Sequence, residues 1–320
     1  MKKLNYKNYI NNKIYVAGHN GLVGSAIVRR LKYYGFTKII TVARSKLNLL
    51  DKNKVYQFLN KNKPNAVIIA AAKVGGIKSN NEESAKFIYE NLEIQNNLIH
   101  SSYLNGIKNL IFLGSSCVYP KMCGQPIKEE YLLTGPLEKT NEAYAVAKIA
   151  GVKLCEFYSK QHRVNYRSIM PCNTYGPNDN YNLQTSHFFP ALIKKIFLAK
   201  KNNIKNIEIW GNGKSKREVI FVDDLANAII YFSFKKINTS ILNIGTEHEM
   251  TIEQYAKLIM KTLNVNLKIN YVKKKLIGTP RKVLDCSLAR RFGWKSSYSL
   301  EEGLKITISD FIKNFNNYKK

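Results

Sequence analysis

Apolar residues fall along the chain in two alternating textures: short continuous aliphatic runs, and longer stretches with an apolar residue every three or four positions. Residues 13–17 form a short apolar run ending beside glycine, residues 22–34 keep a helical period, and residues 37–43 are rich in β-branched side chains. That order predicts strand, helix, strand. The alternation continues with a strand at 66–70, a helix at 83–104, a strand at 110–113, a helix at 144–161 and a strand at 166–170. Strands that are apolar throughout, each followed by a helix, predict a parallel sheet covered by helices on both faces.

The texture changes after Pro171. Residues 173–182 are rich in Asn, Gly, Pro and Tyr, which predicts a loop and a domain boundary. Beyond it the pattern predicts a helix at 189–199, strands at 207–210 and 219–222, a helix from 223 capped by the carboxylate of Asp223, and a strand at 241–244. A helix from 251 and an amphipathic helix from about 300 follow. The fold class is therefore α/β. The expected organisation is a doubly wound parallel-sheet domain over 1–176, with segments around 219–245 returning to it, and a smaller C-terminal α/β lobe over 177–320 for substrate. No repeat of solenoid period is present.

Composition narrows the function classes. A chain of 320 residues with 45% hydrophobic content fills a packed core, which argues against disorder. No apolar run approaches the ~20 residues of a bilayer crossing, and residues 1–12 are polar with no apolar signal-peptide centre, so a soluble, cytoplasmic protein without a membrane partner is expected. Five cysteines without a CxxC pair predict neither a disulfide framework nor a structural zinc site, and no metal is expected. The net charge of +29 raises nucleic-acid binding, but the lysines are scattered and form no basic tail. A solvated basic surface that favours anionic small ligands is the expectation, with no nucleic-acid partner.

The first chemical signature is Gly18-His19-Asn20-Gly21-Leu22-Val23-Gly24, directly after the first predicted strand and opening the first helix. Bare backbone there lets a pyrophosphate approach a helix N-terminus, as in Rossmann-type dinucleotide sites. At the end of the second predicted strand stands Arg44, with no carboxylate beside it. An acidic residue at that point holds ribose hydroxyls, whereas arginine accommodates a 2′-phosphate, so NADP(H) is favoured; an ordinary surface charge is the alternative.

The second signature is Tyr144-Ala-Val-Ala-Lys148, which sets a phenol and an ammonium one turn apart on a helix face. The cation is expected to lower the tyrosine pKa from its usual ~10, so that the phenol hands a proton to a carbonyl oxygen as hydride arrives at carbon. Ser115, at the end of the fourth predicted strand, is placed to hydrogen-bond the same oxygen.

The segments 70–77, 112–120, 144–155, 170–177 and 278–282 together resemble the GDP-L-fucose synthase family, in the extended short-chain dehydrogenase/reductase superfamily. Ala-Ala-Lys-Val-Gly-Gly and Gly-Ser-Ser-Cys are the narrowest of these motifs, and the likeness runs from about Lys13 to the final helix. The resemblance implies an NADPH-dependent C3 and C5 epimerisation and C4 reduction of a GDP-4-keto-6-deoxy sugar, in a homodimer. Ser115, Tyr144 and Lys148 would serve the reduction, and Cys117 and His187 the epimerisation. Leu113, Gly114, Ser116, Pro171, Cys172, Asn173 and Thr174, with His187, would line the cofactor. Asn173 would also approach the sugar, and Lys195, Trp210 and Arg217 would hold the GDP portion.

Cys117 as a packed small hydrophobe, His187 as a polar niche-filler and Trp210 as a core aromatic are the plainer readings of those residues. Three positions depart from the family pattern. Asn20 stands where some relatives carry arginine, Lys195 where arginine is frequent, and Leu276-Ile277 where Pro-Asp often precedes Gly278. Related GDP-sugar reductases of colitose or deoxyheptose type share the reductive motifs. From a different class, a non-catalytic dinucleotide-binding regulator is the competing reading.

Overall fold

The computed structural model describes residues 6–272 and 279–318, so Leu276, Ile277 and Gly278 lie outside the described residues. The N-terminal half alternates strand and helix: β1 (Ile14–Ala17), α1 (Leu22–Tyr33), β2 (Ile39–Ile40), α2 (Lys52–Asn62), β3 (Ala66–Ile69), α3 (Ile77–Glu82), α4 (Ser84–Leu104), β4 (Asn109–Leu113), α5 (Glu142–His162) and β5 (Asn165–Pro171). There follow β6 (Asn173–Tyr175), α6 (Phe188–Lys201), β7 (Asn206–Trp210), β8 (Lys216–Phe221), α7 (Val222–Phe234) and β9 (Ile241–Ile244). The chain closes with β10 (Glu249–Thr251), α8 (Ile252–Thr262), β11 (Lys268–Val272), β12 (Arg281–Lys282), α9 (Ser287–Arg291) and α10 (Leu300–Lys313).

The main sheet has the order β2-β1-β3-β4-β5-β9, and every pairing in it is parallel. β1 and β3 are buried at every position because helices cover both faces, which is why they read as unbroken apolar runs. Strand order reverses between β1 and β3, opening a crevice beyond their carboxyl ends, where α/β sheets bind ligands. A smaller layer joins β10, β8 and β12, with β6 pairing β8, and β7 pairs β11 separately. Of the segment 219–245, β9 pairs β5 and α7 lies against α1, whereas β8 belongs to the smaller layer. No helix among the described residues is long and apolar enough to cross a membrane.

Several local expectations change. β2 is an edge strand paired only with β1, so it shrinks to two residues and leaves Arg44 exposed in the following loop. α2 lacks a strong apolar period because it buries only Val55 and Leu59, and its start is set instead by Asp51, which accepts a hydrogen bond from the Lys54 amide at 3.0 Å. The predicted loop at 173–182 begins with a short strand, β6. Asp223 does not cap α7: it lies within the helix and pairs with Arg29 of α1, so its carboxylate ties two helices together. Thr251 and Ser299 do cap α8 and α10, each in a capping box.

α5 carries the Tyr144–Lys148 turn, and its distance from the sheet is set at Gly151. A Cβ there would meet the Phe112 ring at 2.5 Å and Gln95 Oε1 at 2.8 Å. Gln95 in turn donates to the Ala147 carbonyl at 2.6 Å, locking α4 to α5. Gly151→Ala is therefore expected to destabilise the fold by about 1–3 kcal/mol through overpacking. Urea denaturation measures this, and a midpoint equal to the parent's contradicts the close approach.

Candidate functional site

The turn between β1 and α1 is shaped by its glycines. Gly18 has φ +84° and abuts the backbone after β3, where a Cβ would lie 2.7 Å from Ala71 Cα. A Cβ on Gly24 would lie 2.1 Å from the Gly18 carbonyl oxygen, so only glycine lets α1 pack this tightly on the turn. Gly21 differs: a Cβ there would meet nothing nearer than that carbonyl at 3.6 Å. Gly21 is the N-cap of α1, no side chain caps it, and the first turn carries no acidic residue. Amide donors and the positive helix end thus face an open crevice, which fits a dinucleotide pyrophosphate.

A cleft of about 360 Å³ is lined by Ser115, Cys117, Tyr144, Asn173 and His187 together with Lys195, Trp210 and Arg217. β4 delivers Ser115 at its carboxyl end, where the hydroxyl oxygen accepts from the Cys117 amide at 3.2 Å and starts the short turn that carries the thiol. Lys148 stands behind the cleft wall rather than in it. Its ammonium is buried, donates to the Leu113 carbonyl at 2.7 Å and lies 5.8 Å from the Tyr144 ring centroid.

The acidity of Tyr144 runs opposite to the expectation from sequence. Burial pushes the phenol well above the usual tyrosine value, a negative charge on Cys117 would act the same way, and the hydrogen bond with Ser115 only partly offsets them. Burial likewise pulls Lys148 down to about 7, which reduces what its charge can do to acidify the phenol. Tyr144 is consequently protonated at neutral pH, the state a proton donor requires.

Cys117 is partly exposed to the cleft, and Lys282 on β12 donates to its sulfur at 3.4 Å. Burial opposes a thiolate here, but the Lys282 charge, Ser115 and Asn141 together outweigh it and hold the thiol below its ordinary value. His187, at the N-cap of α6, opens onto the same cleft. Neighbouring protein atoms and then the charge of Lys282 hold its imidazole below the usual histidine value, although the residue is exposed to solvent. The negative charge of a bound diphosphate acts in the opposite sense.

The backbone that presents His187 is fixed by the segment that leads into α3. The Gly76 amide donates to the Thr185 carbonyl at 2.8 Å, and a Cβ on Gly76 would lie 2.8 Å from the Ser186 carbonyl oxygen. Lys195 donates to the Glu208 carbonyl at 3.1 Å and sits 5.7 Å from the Trp210 ring centroid. Trp210 is 47% exposed, which excludes its reading as a core aromatic. Asn173 donates to the Glu218 carbonyl at 3.0 Å, which ties β6 to β8. Gly114, Ser116 and Cys172 are buried at the sheet's carboxyl edge, with Pro171 and Thr174 partly exposed beside them.

Sequence reasoning missed Lys282 and Asn141. Lys282 closes the 278–282 motif and was therefore in view, but only the three-dimensional pairing of β12 with β8 brings it to the thiol.

A model of the NAD dependent epimerase/dehydratase family matches residues 14–245. The chain is 47% identical to a putative GDP-L-fucose synthase 2 of Arabidopsis thaliana, over 94% of this chain and 92% of the relative. It is 42% identical to the GDP-L-fucose synthase of Escherichia coli, over 96% and 98%. Among solved structures, a Campylobacter jejuni GDP-mannoheptose C4 reductase with NADP bound superposes with a TM-score of 0.86 at 34% identity, covering 95% of this chain and 99% of that one.

The second and third glycines of the turn separate binding from folding. Gly21→Ala is expected to leave stability within about 0.5 kcal/mol of the parent while weakening NADPH binding about tenfold. Gly24→Ala is expected to lower stability itself by about 1–3 kcal/mol. Fluorescence titration with NADPH alongside urea denaturation measures both; equal binding by Gly21→Ala and the parent contradicts the placement of the phosphate.

Proposed function

The chain belongs to the NAD dependent epimerase/dehydratase family and, within it, to the GDP-L-fucose synthases, and from that premise we propose that it converts GDP-4-keto-6-deoxy-D-mannose to GDP-L-fucose. The cofactor is NADP(H), which fits the uncapped glycine turn. The observation that carries the reading is the convergence of a thiol, an imidazole and a serine–tyrosine pair on one cleft.

The 4-keto group acidifies the hydrogens on C3 and C5. Inversion at each carbon needs one group to take a proton from one face and another to return one to the opposite face. In this reading the Cys117 sulfur removes the proton as thiolate and becomes a thiol, and His187 returns one from its ring nitrogen. A nicotinamide cofactor held through the glycine turn would supply the hydride for C4. Ser115 and Tyr144 hydrogen-bond the C4 oxygen, and Tyr144 gives its proton to the oxygen as negative charge develops there. Lys148 fixes the end of β4 through the Leu113 carbonyl, and Arg44 takes the 2′-phosphate.

Residues 1–176 carry the dinucleotide and residues 177–320 mainly the sugar nucleotide, with Lys195 and Arg217 opposite the diphosphate and Trp210 opposite the base. Assembly as a cytoplasmic homodimer belongs to the same proposal. Val146 and Phe157, about three helical turns apart on one side of α5, are 40% and 57% exposed, an apolar pair suited to contact with a second copy.

NMR of the product from GDP-4-keto-6-deoxy-D-mannose and NADPH tests the reading; a product that keeps the D-configuration rejects the double inversion. Tyr144→Phe is expected to cut NADPH oxidation at least ~100-fold while leaving solvent-deuterium uptake at C3 and C5. Cys117→Ser is expected to suppress that uptake first. Equal loss of both signals in both variants contradicts the division of labour.

A further inference from the structure

Lys282 is the cation that meets the reacting sulfur, and no part of the reduction uses it. β12 is only two residues long, yet its position is fixed from three sides. It pairs parallel to β8 with Lys282 opposite Arg217, the Val283 amide donates to Gln125 Oε1 at 3.0 Å, and the Leu284 amide donates to the buried Glu218 carboxylate at 2.9 Å. The amides of Ile127 and Asp285 add two further bonds, to Val283 and Ile127 carbonyls, at 2.8 Å each. An ammonium on a long flexible stem is thereby delivered 3.4 Å from Cys117 Sγ.

The other groups around the sulfur do not replace it. Ser115 and Asn141 are neutral hydrogen-bonding partners, Tyr144 is a neutral phenol, and Arg217 reaches Cys117 only through its field. Around Lys282 itself stand Cys117, Cys123 and His187, with Arg217 across the strand pair. Its neighbour Arg281 is engaged by Glu249, through bonds of 2.9 Å to both carboxylate oxygens. No carboxylate bonds Lys282 among the described residues, so its charge is spent on the sulfur.

We propose that Lys282 is a catalytic residue of the epimerisation, the cation that holds Cys117 as a thiolate in the resting enzyme and so keeps it ready to accept a proton from C3 or C5. The proposal rests on the reading of Cys117 as the base. The step is balanced: the sulfur gains the proton that carbon loses, the ring electrons pass to the C4 oxygen as enolate, and Lys282 remains an ammonium throughout. By the same charge Lys282 disfavours an imidazolium at His187 until an anionic substrate enters, which separates the base from the acid in a cleft that holds both.

Iodoacetamide alkylation against pH tests this on the full chain. Trypsin cleaves after Lys121, so the Cys117 and Cys123 peptides are read separately by mass spectrometry. In Lys282→Met the alkylation midpoint of Cys117 is expected to rise by about one pH unit or more, with about tenfold slower alkylation at pH 7. Lys282→Arg is expected to return the midpoint towards the parent's. Deuterium uptake at C3 and C5 is expected to fall about tenfold in Lys282→Met and to recover in Lys282→Arg. A Lys282→Met midpoint equal to the parent's overturns the assignment, as does a raised midpoint with undiminished uptake. The alkylation profile speaks for Lys282 alone, whereas failure of the parent chain to take up deuterium overturns the reading of the reaction on which it rests.

Discussion

Glu218 is fully buried, and its carboxylate accepts hydrogen bonds from the backbone amides of Thr246, Glu247 and Leu284 at 2.5, 2.6 and 2.9 Å. These three amides come from the turn after β9 and from the segment after β12, whereas Glu218 itself lies on β8. One side chain therefore joins the edge of the main sheet to the smaller layer. Its own carbonyl accepts from Asn173 of β6 at 3.0 Å, adding a fourth segment. Burial raises the Glu218 carboxyl to about 7, the cost of keeping a carboxylate in a dry seam, and the amides that it binds offset part of that cost. Without this seam Lys282 and Arg217 would have no fixed relation to Cys117, and the cleft would be two surfaces rather than one site.

The chain's large positive charge acquires meaning only at this seam. Most of its lysines are solvated, but Lys195, Arg217 and Lys282 line the cleft that Cys117 and His187 share. Charge that would be screened on the surface acts strongly across a narrow, partly dry space. The same field divides the chemistry: it favours negative charge at the sulfur and disfavours positive charge at the imidazole. The tyrosine is left out of this polarisation, because burial keeps it protonated. In the proposed reaction a strong resting acid is not needed there, since the oxygen that Tyr144 would serve becomes basic only as hydride arrives at carbon.

The glycine turn, the Tyr144 helix and the strand-end serine were legible because each depends on neighbours in sequence: a period, a spacing, a run of apolar residues. What stayed hidden depends on contacts between distant segments. Asp223 reads as a helix cap until Arg29, far earlier in the chain, claims its carboxylate. The Tyr144–Lys148 spacing is right, yet the phenol is not made acidic, because burial of both side chains, which sequence spacing does not show, raises the phenol and lowers the ammonium. α2 was invisible because a helix that buries two residues leaves little apolar signal. Lys282 was invisible as a partner because pairing register, not sequence spacing, brings it to the thiol.

The account stands on a single sugar ring meeting all of these groups at once. A crystal structure of Cys117→Ser with NADP+ and GDP-4-keto-6-deoxy-D-mannose measures this directly. It should place the C4 oxygen within about 2.6–3.2 Å of both the Ser115 hydroxyl and the Tyr144 phenol, with residue 117 and His187 on opposite faces of the ring. A sugar bound with its carbonyl turned away from Tyr144, or with both residue 117 and His187 on one face, would contradict the account.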